Sequence, residues 1–125
     1  MAKAIMGCLI IVGLINFIPV LGVFSAQKLE SVYAITLASN DLIILMRHRA
    51  LLFGVLGGFI LYSAFYTSYQ TAAMVMAGVS MLGYALLVLL VGGYNEAIFT
   101  ILQVDLVGIL FLLVAAVFKY LSRDR

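Results

Sequence analysis

Thr71–Val91 reads TAAMVMAGVSMLGYALLVLLV, a run without one charged side chain. About 20 such residues are what a helix needs to cross the hydrocarbon core of a bilayer. Working outward, only Thr67-Ser68-Tyr69-Gln70 separates it from an apolar run over about 42–66. On the other side, only Gly92-Gly93-Tyr94-Asn95-Glu96 separates it from a run over about 97–121. A further apolar segment occupies about 4–24. The chain as a whole is 66% hydrophobic and 10% charged, with a mean hydropathy of +1.27, whereas a soluble domain carries about a quarter of its residues charged. The sequence therefore predicts an all-α integral membrane four-helix bundle forming one domain over 1–125. Short turns between successive spans make antiparallel, up-down neighbours of them.

The connection from Ser25 to Asp41 is longer. Leu29, Val32, Tyr33 and Leu37 recur in it at helical spacing, with Lys28 and Glu30 opposite, which predicts a short interfacial helix lying on the membrane surface between the first and second spans. The first apolar run is too long for a signal-peptide core, so it is expected to stay as a span. Cys8 precedes the apolar core rather than following it, which argues against a lipoprotein box. Lys3, Lys119, Arg123 and Arg125 gather near the termini. Cations are retained on the cytoplasmic side, which places both termini there and the protein in a bacterial inner membrane as a multi-pass chain.

The charge balance excludes several functions. A formal net charge of +2 without a basic block gives no nucleic-acid surface. One cysteine, Cys8, and one histidine, His48, leave no disulfide, no CxxC pair and no metal site, and no cofactor is required. No nucleophile–base pair or phosphate loop can be assembled, so an enzyme is the weakest of the function classes.

Polar groups at membrane depth are costly and face the bundle interior or a wet cavity. Here they are Asn16 in the first span, Arg47-His48-Arg49 in the second, and Gln103 and Asp105 in the fourth. At about 1.5 Å of rise per residue, Arg49 lies about 12 Å inward from Asp41, Asp105 about 13 Å from Glu96, and Asn16 about 12 Å from Phe24. All three fall in one layer in the outward-facing half. At about 100° per residue, Arg47 shares a face with Ala50, Gly54, Gly57 and Gly58, where a neighbour approaches closely. Arg49 points the other way and is expected to snorkel toward the headgroups. Asp105 shares a face with Ile101, Gly108 and Leu112, and Gln103 points away from it. An Arg47–Asp105 pair is thus the expected heart of the layer, either as a structural pin between helices or as a ligand site. His48 reads as an interfacial hydrogen-bonding group or a proton carrier, and Asn16, near Gly13, as interhelical glue. Asn40-Asp41-Leu42-Ile43 and Asn95-Glu96-Ala97-Ile98 open the second and fourth spans alike, as a duplicated helix pair would.

The Arg47–Gly58 segment with its three glycines, and Asp105, resemble small four-helix bacterial membrane proteins of the DoxX-like type. Some members of that group look like accessory subunits of quinone-linked oxidoreductases. The resemblance implies a quinone or lipid contact near Arg47 and Asp105. The expected function is a non-catalytic membrane subunit or binder whose polar layer (Arg47, His48, Arg49, Asp105, Asn16) holds a lipid-like or quinone headgroup. The alternative is a small dimeric proton-coupled transporter of the multidrug-resistance type, although that family places a glutamate in the first span, where this chain has only Asn16. Membrane lipids are the expected partners. Ala77, Gly78 and Ala85 offer close-approach positions for a homo-oligomer.

Overall fold

A computed structural model describes residues 2–123, of which every element is helical. Helix α1 spans Ala2–Phe17 and continues as a 3-10 segment over Ile18–Phe24. Helix α2 covers Ala26–Tyr33, α3 Asn40–Phe65, α4 Gln70–Val91 and α5 Glu96–Arg123. A 3-10 turn at Thr67–Tyr69 joins α3 to α4. Four stretches, Ala2–Phe24, Asn40–Phe65, Thr67–Val91 and Glu96–Leu121, are long and apolar enough to cross a membrane, the pattern of a multi-pass membrane protein.

The element boundaries have local causes. Pro19 falls in the first turn of the 3-10 segment. A proline there has no N–H to donate to a carbonyl one turn back, and the first span tightens beyond Phe17. Ser25 and Ser39 cap α2 and α3, their hydroxyls accepting from the amides of Lys28 and Leu42, each at 3.2 Å. Helix α4 ends at Gly92 and Gly93, both at positive φ, a conformation glycine adopts without steric cost. Asn95 opens α5, its Oδ1 accepting from the Ile98 amide at 2.9 Å. Its Nδ2 donates to the carbonyls of Tyr33 and Ala34, at 2.9 and 3.0 Å. Those carbonyls end α2, where Ala34 takes a left-handed conformation. Asn95 therefore caps α5 and ties α2 to it.

The four long helices pack as a ring, α1 against α3, α3 against α4, α4 against α5, and α5 back against α1. Lipid supplies no hydrophobic drive for this, so close backbone approach at small residues has to. The glycine face of α3 does it. A Cβ on Gly57 would meet the Phe17 backbone nitrogen at 2.4 Å, and one on Gly54 would meet Val20 Cγ2 at 2.2 Å. The core runs through Leu9, Val12, Ile60, Ala73, Ala77, Met81 and Ala115. Ala77 is fully buried in it and Gly78 faces Leu112, so these close-approach positions of α4 are taken up inside the chain instead of lying on an outer face. A second cluster, Leu29, Tyr33, Leu37 and Ala50, seats α2 and the following loop on the bundle. Leu29 and Tyr33 of α2 and Leu37 of the loop beyond it are buried against the bundle, whereas Val32 is exposed.

Candidate functional site

The layer forms around α3. Arg49 lies half-buried, its guanidinium over the rings of Phe53, Tyr33 and Tyr84 at 4.8, 5.2 and 5.9 Å from their centroids. Its Nη1 donates to Tyr33 Oη at 2.8 Å. Three rings from α2, α3 and α4 thus hold one cation, each contact of a kind that contributes about 0.5–2 kcal/mol. Tyr84 Oη in turn donates to the Ile98 carbonyl at 3.3 Å, fixing α4 against α5.

A cleft of about 380 Å³ opens beside this box. The end of α1 and the 3-10 segment line it with Asn16, Ile18 and Pro19, α5 with Thr100, Ile101, Val104 and Asp105, α2 with Lys28, Leu29, Val32 and Tyr33, and α3 with Arg49 and Phe53. Ile18, Leu21, Val32 and Val104 of its lining are exposed, as is Lys28, so the cleft opens at a mainly apolar surface. Its size is within the range of small-molecule sites. Asp105 is half-buried and within Coulombic reach of Arg49, with Tyr84 close to both. Yet among the described residues no lysine or arginine nitrogen comes within 4.0 Å of a carboxylate oxygen. The two charges face a shared space without closing on each other.

Arg47 does not pair with Asp105. It is exposed, and its Nε donates to the Val23 carbonyl at 2.8 Å. The small-residue face of α3 does meet the first span, with Gly57 at Phe17, Gly54 at Val20 and Ala50 near Gly22. Arg47 stands one turn beyond Ala50 on that face and therefore overhangs the end of the 3-10 segment, where Val23 still has a carbonyl to offer. Arg49, expected at the headgroups, is the arginine that α2 covers. His48 is exposed and outside the cleft lining. Gln103 is exposed on the side of α5 away from Asp105.

Asn16 is buried. Its Nδ2 donates to Val12 O at 2.9 Å and reaches Met81 Sδ at 3.8 Å, so its bond to its own helix is the stronger and its cross-bundle bond the weaker. It also lines the cleft. Thus Asn16, Arg49 and Asp105 come together and Arg47 and His48 do not. The aromatic box of Tyr33, Phe53 and Tyr84 was missed from the sequence. A signal existed: Tyr84 lies seven residues inside Val91, about 10 Å deep, near the depth of Arg49. Among the described residues no three His, Cys, Asp or Glu side chains cluster as metal ligands. Comparison with known proteins finds no relative, since no family model, curated protein or solved structure matches the chain.

Proposed function

We propose that this chain is an up-down four-helix membrane protein that binds an amphipathic molecule, a quinone or a lipid-like compound, as a non-catalytic subunit or carrier. The headgroup sits between Arg49 and Asp105, and the apolar tail leaves through the lateral mouth past Ile18 and Val104. The observation that carries this is the unclosed pair: Arg49 and Asp105 line one mainly apolar cleft without forming an ion pair. An arginine held by three rings keeps free N–H donors for a carbonyl or phosphate headgroup, Asp105 accepts from a hydroxyl, and Asn16 adds an amide. The DoxX-like resemblance points toward the same chemistry, with Arg49 in the part it gives to Arg47.

In this reading α2 lies at the outer membrane interface with Lys28 and Gln27 toward the headgroups, the termini are cytoplasmic in a bacterial inner membrane, and a second copy covers part of the exposed apolar surface. Photoreactive analogues of a quinone and of a phospholipid test it in proteoliposomes. Cross-links to 26–33 and 100–105 are expected from one of the two, which also names the ligand class. Labelling confined to the outer face of α4 would contradict it. Uptake of a cationic drug driven by a proton gradient, and lost in Asp105→Asn, would instead establish the dimeric transporter.

A further inference from the structure

The opposite end of the bundle holds a second cavity of about 450 Å³, where the first turn of α1 meets the ends of α3 and α5. Lys3 and Lys119 both line it. Lys119 is half-buried, and its Nζ donates to Gln70 Oε1 at 2.9 Å and to the Thr67 carbonyl at 3.4 Å. Both acceptors are neutral, so they fix the ammonium in place without cancelling its charge, and an ammonium has a third donor to give. Lys3 is exposed, and the amides that open α1 add partial positive charge. The described carboxylates, Glu30, Asp41, Glu96 and Asp105, all lie on α2 or in the opening turns of α3 and α5, at the far end of the bundle. Apolar Met6 and Phe65 complete the cavity, and Phe65 is 65% exposed.

Two cations with no carboxylate beside them among the described residues, next to an apolar wall at the end of a bundle of membrane-length helices, call for an anion carried on an apolar chain. We propose that this cavity seats the phosphate of an anionic phospholipid, its acyl chains running along Met6 and Phe65. The site is separate from the Arg49 cleft and stands whether or not that cleft takes a quinone.

Native mass spectrometry of the full chain in mild detergent, titrated with phosphatidylglycerol and phosphatidylcholine of identical acyl chains, tests it. A surface lysine favours anionic lipid by about fivefold, so the pair predicts a preference of about 25-fold. Lys119→Gln and Lys3→Gln should each remove about fivefold of it, and Lys119→Arg should keep it. Lys3 is exposed, so Lys3→Gln reads the site even if the Lys119 variant misfolds. Equal retention of the two lipids, or an unchanged preference in the Lys3→Gln/Lys119→Gln double variant, would overturn the proposal. So would complete displacement of the lipid by excess inorganic phosphate, which would make the site one for a free anion.

Discussion

At the scale of single residues, the account turns on which of two arginines, one position apart from the same histidine, enters the bundle. Arg47 shares its face with the glycines and Arg49 does not, so helical phase alone selects Arg47. The phase is right and the inference wrong, because the neighbour on that face ends at Phe24 and leaves Arg47 beyond it, bonded to Val23. Arg49 is enclosed by Tyr33 of α2, a helix whose docking no periodicity announces. Tyr33→Phe removes the hydroxyl that accepts from Arg49 and leaves the ring in place. We expect a loss of about 1.5 kcal/mol, typical of a hydrogen bond to a charged group, measured by chemical or thermal unfolding in detergent; an unchanged midpoint would show that the bond carries no stability. Asp105 and Asn16, which line the cleft, were legible as a polar layer because any polar side chain within an apolar span stands out. The aromatic box was not, since tyrosine and phenylalanine pass as ordinary apolar positions in such a sequence.

At the scale of elements, the four long helices were legible to within a few residues because each is one long uninterrupted apolar run. The 3-10 conversion after Phe17 was not foreseen, although Pro19 marks it. The α3 glycines divide by contact. Gly57→Ala would push a methyl into the Phe17 backbone, whereas a Cβ on Gly58 meets only the Phe17 ring edge at 4.0 Å. Gly57→Ala should destabilise by about 1–3 kcal/mol, the usual cost of overpacking, and Gly58→Ala should be neutral. Equal effects in the two variants would mean that α1 and α3 do not cross there. Asn95 serves two elements, so Asn95→Ala should cost more than the roughly 1 kcal/mol of a lost helix cap and should also free α2. Faster hydrogen exchange over 26–33 is the expected signature, and exchange unchanged there would separate Asn95 from α2.

At the scale of the whole molecule, four helices are long and apolar enough to cross a membrane, and the proposed orientation, with both termini cytoplasmic, rests on the cations near the ends. A reporter active only in the cytoplasm should give signal when fused after Arg125; signal from a periplasmic reporter instead would invert the orientation and place the Arg49 cleft on the inner side. The self-association we propose would rest on Gln103, a polar amide exposed on α5 that a neighbouring copy could satisfy within the membrane. A dimer in lipid nanodiscs that weakens in Gln103→Leu is expected, and a monodisperse monomer would contradict it. The central claim is that the Arg49 cleft binds an amphipathic molecule, and the mass of whatever co-purifies with the chain tests it most directly. Native mass spectrometry of the wild type, Arg47→Gln and Arg49→Gln, purified alike, should show a retained small molecule in the first two and a loss of at least about tenfold, about 1.4 kcal/mol, in the third. Equal retention in all three, or loss in Arg47→Gln alone, would contradict the account.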